Sequence, residues 1–258
     1  MFRFMSLTAA AWLVLAGAAQ AQVVVPNSAA GTDADGAFSL TSTATTGRTY
    51  QMTIAANQLT SLVGQQIVSL QWRLNGPATS AWPTATANYS FWDIFLGPGV
   101  SPSSMSNTFA SNFSGSATQV RSGALSFDTG VFTSGSSPNA FGPALIFDTP
   151  YLYSGGDLTI EMRFAQQTGA TTQSPLDAVK GSGGAGKGWG GEFAARWTGN
   201  SSGTTGANGN FLVTQLNIAA VPEPGTIALI GISTATLIIW GMRHRSKRNA
   251  EFNAPVKR

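Results

Sequence analysis

Apolar and polar residues alternate strictly in two stretches of this chain, and this period of two limits the fold more than any other feature. In the first stretch Val68, Leu70, Trp72 and Leu74 alternate with polar residues. Residues 158–164 repeat the pattern, with Leu, Ile, Met and Phe at every second position. Successive side chains of a strand point to opposite faces, so each stretch predicts a β-strand with one buried face.

Six further stretches carry strand signals, and turn-rich pieces separate them. They are residues 49–54, 88–96, 120–127, 144–147, 193–197 and 211–218. The 88–96 stretch is apolar on both faces, which predicts a central strand covered on both sides. Residues 169–191 are rich in Gly and Ser and predict a long loop. About seven to nine short strands favour an all-β fold over residues 22–219, an antiparallel β-sandwich that is jelly-roll-like.

Two residue counts remove most catalytic chemistries from residues 22–219. The chain has no cysteine, and its single histidine is His244. Without histidine this region cannot hold a Ser-His-Asp triad, a His-ligated zinc ion or a His general base. Without cysteine it has neither a thiol nucleophile nor a disulfide framework. We therefore expect a non-enzymatic protein with no cofactor, no metal site and no catalytic residues.

The chain carries a formal net charge of +3, but the excess positive charge lies near the C-terminus. Residues 22–220 contain seven Lys and Arg against nine Asp and Glu, a net charge of −2. Six basic residues lie at or after Arg243. Because residues 22–220 have no basic stripe to neutralise phosphates, we expect no binding to nucleic acid.

The first 21 residues have the three regions of a secretory signal peptide. Arg3 supplies a positive charge, residues 7–18 form an apolar run, and Ala19 and Ala21 precede Gln22. Small side chains three residues and one residue before the bond suit signal peptidase, so we expect cleavage after Ala21. The apolar run is short for a retained membrane anchor, which also favours cleavage.

An uncharged apolar segment, residues 226–242, is followed directly by a basic cluster. As a helix this segment would be about 25 Å long, slightly shorter than the hydrocarbon core of a bilayer. The cluster contains Arg243, His244, Arg245, Lys247 and Arg248. Such clusters stay on the cytoplasmic side, so we expect the helix to stop translocation with residues 22–219 outside.

The apolar segment is preceded by Val221, Pro222, Glu223, Pro224 and Gly225. In order and spacing, residues 220–248 resemble the PEP-CTERM sorting signal of exported proteins in Gram-negative bacteria. The resemblance implies that an exosortase, an integral-membrane transpeptidase, recognises the tail and cuts near the Pro-Glu-Pro motif. A short tail, residues 249–258, continues beyond the point where such signals usually end. The alternative is that the prolines form a stiff spacer before an ordinary anchor.

Three short motifs suggest ligand sites, and turns or loops explain each of them better. Residues 181–187 resemble a phosphate-binding loop, but Gly188 replaces the magnesium-binding Ser or Thr. Residues 127–130 resemble one arm of an aspartic protease, but the counterpart at 148–150 is too near to lie in a separate lobe. Residues 33–36 could begin a calcium loop, but no glutamate follows to close it.

Two groups of residues keep glycan-directed alternatives open. The first is a pair of carboxylates for glycoside hydrolysis, with the candidates Asp93, Asp128, Asp148, Glu161 and Glu192. The second is a pair of tryptophans in loop-like contexts, Trp82 and Trp189, which are candidates to stack on sugar rings. Trp72 and Trp92 are instead expected in the core, because they lie on strand faces that look buried.

Together these features predict an exported, exosortase-sorted protein of the cell surface or extracellular matrix, with a structural or adhesive role. Its expected partners are signal peptidase, an exosortase-type transpeptidase and exopolysaccharide. Before processing it would also be held in the membrane by residues 226–242. One alternative is a carbohydrate-binding module that recognises exopolysaccharide. Another is a carboxylate-dependent glycan hydrolase.

Overall fold

The computed structural model of the chain describes residues 22–39, 46–170, 172, 174–181 and 187–219. Over these residues the regular structure consists of strands and short 3₁₀ helices, so the all-β prediction is confirmed. The strands are β1 Gln22–Val25, β2 Gly36–Phe38, β3 Arg48–Ile54, β4 Gln65–Gln71, β5 Ala87–Tyr89, β6 Trp92–Pro98, β7 Thr118–Arg121, β8 Leu125–Phe127, β9 Leu145–Tyr153, β10 Leu158–Phe164, β11 Thr168–Gly169, β12 Leu176–Val179, β13 Phe193–Thr198, β14 Ala207–Asn208, β15 Phe211–Leu212 and β16 Thr214–Ala219. The 3₁₀ helices are Asn27–Ala29, Ala56–Gln58, Thr60–Leu62, Pro102–Ser104 and Phe109–Asn112.

The strands form four sheets, and the pairings between these strands are antiparallel. A four-stranded sheet has the order β1-β16-β4-β9, and a six-stranded sheet has the order β14-β13-β3-β10-β6-β7. Two three-stranded sheets have the orders β11-β5-β8 and β15-β12-β2. Strands β1 and β16 are neighbours although they lie at opposite ends of the described sequence, so the four-stranded sheet joins the two ends of the domain.

Aromatic side chains join the four-stranded and six-stranded sheets. The ring centroid of Trp72, which directly follows β4, lies 6.0 Å from that of Trp92 on β6. Trp92 stacks on Phe164 of β10 with centroids 4.0 Å apart and ring planes 5° apart. Tyr89 meets Trp92 edge-on at 4.7 Å. Aromatic pairs contribute about 0.5–1.5 kcal/mol each beyond the burial of their surface, so this cluster is a main element of the core.

The second face of the six-stranded sheet is also buried, which corrects the prediction of one buried face per strand. Gln51 on β3 is shielded from solvent, as are Thr159 and Glu161 on β10. The segment 99–117, which contains the helices Pro102–Ser104 and Phe109–Asn112, crosses this face. We call it the docked segment. The period of two places these polar residues on one face but does not reveal that another part of the chain covers that face.

Polar side chains hold the docked segment in place. Gln51 Nε2 donates to the carbonyl oxygen of Phe109 at 3.0 Å and to Glu161 Oε2 at 2.8 Å. Asn112 Nδ2 donates to Gln51 Oε1 at 2.7 Å. Glu161 also accepts from Arg163 Nε at 2.6 Å, along the same strand. Every buried polar group in this chain of contacts therefore has a partner, as burial requires.

Four expected segments have a different structure. Residues 120–127 are divided into β7 and β8, and residues 211–218 into β15 and β16, with the two parts of each in different sheets. The 88–96 stretch is divided into β5 and β6, which belong to different sheets. The expected loop 169–191 contains β12, whose four residues are all buried between β15 and β2. The four residues of β12 lie within a segment rich in Gly and Ser, so the composition of the segment predicted a loop.

A buried ion pair ties β12 to the residues that follow β4. Arg73 Nε donates to Asp177 Oδ2 at 2.8 Å, and the two side chains are 1% and 0% exposed. Arg73 also donates to the carbonyl oxygens of Ala29 at 2.8 Å and Thr32 at 2.6 Å. Burial raises the pKa of the Asp177 carboxyl, and the hydrogen bond and charge of Arg73 oppose that shift.

Candidate functional site

A groove of about 510 Å³ lies on the outer face of the four-stranded sheet. Its floor has two rows of side chains that run across the strands. In register on β1, β16, β4 and β9, the first row contains Gln22, Asn217, Ser69 and Ile146. The second row pairs Gln215 on β16 with Gln71 on β4. We call this feature the amide groove.

The amides of the groove hold one another in fixed positions. Gln215 Nε2 donates to Gln71 Oε1 at 2.6 Å and to Asn217 Oδ1 at 2.9 Å. Asn217 Nδ2 donates to Ser69 Oγ at 2.8 Å and to Gln71 Oε1 at 2.9 Å. Gln71 Nε2 donates to the carbonyl oxygen of Gly142 at 2.6 Å. Because each side chain is bonded to the next, their rotamers are set before any ligand arrives.

Three hydrogen-bonding positions of this network remain unused. Gln215 Oε1 accepts from no described residue and is not closed off from solvent. The second hydrogen of Gln71 Nε2 and the hydroxyl hydrogen of Ser69 also have no acceptor among the described residues. The bonded network therefore offers one acceptor atom and two donor hydrogens, and the exposed amide of Gln22 at the end of the first row adds further donors and an acceptor.

Apart from the amides and the Ser69 hydroxyl, the side chains of the groove are apolar. Within the described part of the chain, every residue that lines it is uncharged. Ile146 is 62% exposed at one end of the first row, and Val68 and Ala144 lie beside it. The site thus combines fixed amides with an exposed aliphatic side chain.

Two irregularities in strand pairing shape the groove, and sequence reasoning missed both. The pairing of β4 with β16 skips Val68, so Val68 lines the groove and Ile67 enters the core. This corrects the expectation that Val68 shares the buried face with Leu70. On β9, residues 147–150 are left out of the pairing with β4. A bulge adds a residue without changing the hydrophobic pattern on either side, so the alternation alone could not locate it.

Trp82 is a core residue, which corrects its selection as a glycan contact. It is 2% exposed, and its Nε1 donates to the carbonyl oxygen of Thr172 at 3.0 Å. Its ring centroid lies 5.4 Å from that of Phe132 and 5.8 Å from that of Phe127. Trp82 also lines a cavity of about 290 Å³, but its burial leaves little of the ring on which a sugar could stack.

Trp189 lies in the turn before β13 and is half-buried. Its ring meets Phe193 edge-on, with centroids 6.3 Å apart. It is separate from the amide groove, which it does not line. Its role as a glycan contact stays a prediction.

The structure brings only two of the five candidate carboxylates to one place. Asp148 Oδ2 accepts from the backbone N–H of Ser122 at 2.8 Å, and Asp93 Oδ1 accepts from that of Gly123 at 3.4 Å. Glu161 is buried under the docked segment, and Asp128 is exposed beyond the end of β8. Glu192 lines a different cavity of about 420 Å³, near Asp33 and Asp35.

Residues of the possible calcium turn line that second cavity together with Lys187, the last residue of the possible phosphate loop. Asp33 accepts from the Ser137 hydroxyl. Asp35 accepts from the backbone N–H of Lys180 at 3.0 Å and pairs with Lys187 Nζ at 3.3 Å. These contacts hold the pKa of Asp35 below its usual range, the Lys180 bond having the largest effect. Over the described ranges, no cluster of three or more His, Cys, Asp or Glu side chains is placed to bind a metal ion.

The sorting residues lie outside the described residues, except Gln22, which begins β1. The undescribed ones are Ala19, Ala21, Pro222, Glu223, Pro224, Arg243, Arg245, Lys247 and Arg248, and the predicted membrane helix 226–242 also lies outside. Among the residues that are described, no helix has the length and hydropathy needed to cross a membrane. No protein-family model, curated protein or solved structure matches this chain.

Proposed function

We propose that this chain is an exported, exosortase-sorted protein of the cell surface or extracellular matrix, with a structural or adhesive, non-enzymatic role. The observation that carries the proposal is the position of the two sequence signals relative to the folded domain. Cleavage after Ala21 would fall directly before β1, which begins at Gln22. The Pro-Glu-Pro motif begins at Pro222, three residues after β16 ends at Ala219. Both processing events would therefore leave the strands intact.

The pairing of the terminal strands supports display from one end. Gln22 on β1 pairs with Asn217 on β16, so the start of β1 and the end of β16 lie at the same end of the four-stranded sheet. A body attached through its C-terminus would keep its opposite end free. This is a suitable arrangement for an adhesive or structural module at a surface.

The proposal includes an antiparallel β-sandwich, jelly-roll-like, for residues 22–219. The support is the shared aromatic cluster, in which Trp72 beside the four-stranded sheet packs on Trp92 of the six-stranded sheet. Signal peptidase would first cleave the precursor, residues 226–242 would then hold it in the membrane, and the exosortase-type enzyme would finally cut the tail. Exopolysaccharide is the expected contact of the mature protein.

A non-enzymatic role agrees with the arrangement of the carboxylates. Asp93 and Asp148 each accept from a backbone N–H of the turn after β7, as carboxylates that stabilise a turn do. The glycan hydrolase remains the weaker alternative, because hydrolysis requires two carboxyl groups on either side of a bound glycosidic bond. The carbohydrate-binding alternative is favoured by the amide groove.

Processing can be tested with substitutions in the motif. In cells with an active exosortase, Pro222→Ala and Glu223→Ala should leave a larger, membrane-bound form, whereas the wild-type protein reaches the surface or matrix fraction. Glu251→Ala, which changes a glutamate beyond the basic cluster, is the matched control and should be sorted as wild type. Normal sorting of both motif variants would mean that the prolines are only a spacer before an anchor.

A further inference from the structure

We propose that the amide groove binds a neutral polysaccharide chain. This inference rests on the proposed export, because outside the cytoplasm the protein would meet polymeric glycans. The residues proposed to bind the polysaccharide are Gln71, Gln215, Ser69 and Ile146. None of them belongs to the sorting signal, residues 220–248. The tryptophans considered from the sequence take no part in it.

The chemistry of the groove matches that of a sugar. A pyranose ring has apolar C–H faces and a rim of hydroxyl groups that donate and accept hydrogen bonds. Ile146 supplies an exposed aliphatic surface. In register beside it, Ser69 is 2% exposed, and its hydroxyl hydrogen has no acceptor among the described residues. In the next row Gln215 Oε1 and Gln71 Nε2 supply an acceptor and a donor. A few fixed polar groups beside apolar surface are the usual composition of a small-molecule site.

The dimensions favour an oligomeric ligand. The first row crosses all four strands, and neighbouring strands lie about 4.8 Å apart, so the row is about 14 Å long. The volume of about 510 Å³ lies within the range of ordinary ligand sites.

The absence of charged side chains selects the class of glycan. In the full chain Gln22 is still linked to Ala21, so the groove carries no α-amino charge there, whereas cleavage after Ala21 would add one at the end of the first row. In the part of the chain that the structure describes, no Lys or Arg lines the groove to pair with a uronate, sulfate or phosphate group. A polyanionic chain would lose hydration there without gaining an ionic partner. We therefore assign a neutral polymer.

The direction of the groove argues against a peptide. A bound peptide strand obtains most of its affinity by pairing its backbone with the free edge of a sheet. The rows of the amide groove instead run across the strands, over backbone groups that are already paired within the sheet. Its free polar groups are side-chain atoms, which suit hydroxyl groups.

The test uses the full chain in a neutral detergent, so that binding does not depend on processing. Retardation in native gels that contain dextran, laminarin, xylan or galactomannan gives the affinity, and alginate provides the acidic comparison. We expect retardation by at least one neutral polymer. Alginate can be retained by the basic residues after residue 242, so its retardation should be equal in wild type and in the groove variants. Ile146→Ser should weaken this binding about tenfold, and Gln215→Met should do so to a similar extent.

Two matched controls lie outside the groove. Leu152→Ser changes an equally exposed apolar residue, 57% exposed, on the same strand as Ile146. Gln66→Met changes an exposed glutamine on β4. Both should bind as wild type. Because Ile146 is on the surface, its substitution should leave thermal unfolding unchanged even if Gln215→Met does not.

Several outcomes would overturn the inference. They are no retardation by any neutral polymer, an alginate retardation that the groove variants weaken, or an equal loss in groove and control variants. If the chain binds a neutral polymer but is not sorted in cells, the groove inference stands and the proposed sorting fails. If the chain is sorted but binds no neutral polymer, the proposed sorting stands and the groove inference fails.

Discussion

Gln22 on β1 and Asn217 on β16 pair in register, although 194 residues separate them along the chain. This pairing brings the predicted cleavage site and the start of the predicted sorting tail to the same end of one sheet. It also completes the amide groove, because Gln22 and Asn217 both line it. The amide groove therefore lies near the end of the sheet from which the tail leaves, and the opposite end would stay free for other structural or adhesive contacts.

The Arg73–Asp177 ion pair gives a first prediction for stability. Asp177→Asn should lower the free energy of unfolding by about 3–5 kcal/mol, because it leaves the Arg73 charge buried without a counter-ion. Urea unfolding measures the loss. The matched control is Asp148→Asn, which changes an exposed carboxylate and should cost less than about 1 kcal/mol. Equal losses in the two variants would contradict the assignment of the pair as a core element.

The docked segment gives a second prediction, in this case for local dynamics. Asn112 is fully buried, its Oδ1 accepts from the backbone N–H of Ser106 at 2.7 Å, and its Nδ2 donates to Gln51. Asn112→Ala removes these bonds and leaves Gln51 Oε1 unpaired, at a cost of about 1–3 kcal/mol. Hydrogen exchange should become faster over residues 99–117 and stay slow in β3 and β10. Uniform acceleration across the domain would mean that the segment does not open separately.

The tyrosines give a prediction for alkaline pH. The chain has four, and burial is the largest cause of a raised pKa in Tyr50, Tyr89, Tyr151 and Tyr153 alike. An unfolded tyrosine ionises at about pH 10, whereas a buried tyrosine in the folded protein keeps its proton above that pH. The folded state therefore binds more protons than the unfolded state above about pH 10. The stability contribution is complete below about pH 10 and is lost as the pH rises further.

Tyr50 and Tyr89 are the two most buried tyrosines. Above about pH 10, each should lower the free energy of unfolding by about 1.4 kcal/mol per pH unit. Urea unfolding at a series of alkaline pH values measures the slope, and the part of the tyrosinate absorbance that is lost in Tyr50→Phe and Tyr89→Phe should appear only together with unfolding. Tyr89→Phe should reduce the slope, because it removes one ionisable group that donates to Gln167 at 2.9 Å. A tyrosinate signal in the folded protein near its ordinary pKa would contradict this account.

The two tryptophans first considered for glycan binding should behave differently. Trp82→Ala should cost about 3–5 kcal/mol, because it empties a site packed against Phe127 and Phe132. Trp189→Ala, at a half-buried position, should cost about 1 kcal/mol. Chemical unfolding distinguishes these values. A small loss for Trp82→Ala would mean that its ring is available to a ligand.

Local sequence patterns predicted the elements that depend on nearest neighbours. The stretch 158–164 matches β10 residue for residue, because its alternation is unbroken and glycines before it form a turn. Longer-range packing was not accessible in this way. The burial of Glu161 depends on the docked segment, and that of Trp82 depends on Phe132 and Thr172, which are far away in the sequence.

The amide groove could not be recognised from the sequence for the same reason. Its first row comes from four strands that meet only in the folded sheet, and its position depends on the skipped residue Val68. The single available signal was the alternation of Gln215 and Asn217 with buried residues in β16. That pattern identifies a polar face, but it does not identify the polar and apolar neighbours on β4 and β9.

The central claim is that both ends of the chain are removed during export to leave a surface or matrix protein. Intact-mass analysis of the protein recovered from cells with an active exosortase tests it most directly. We expect a product that begins at Gln22 and lacks the segment after Glu223, and a longer product in cells without the exosortase. A protein from the active cells that still carries residues 226–258 would contradict the claim.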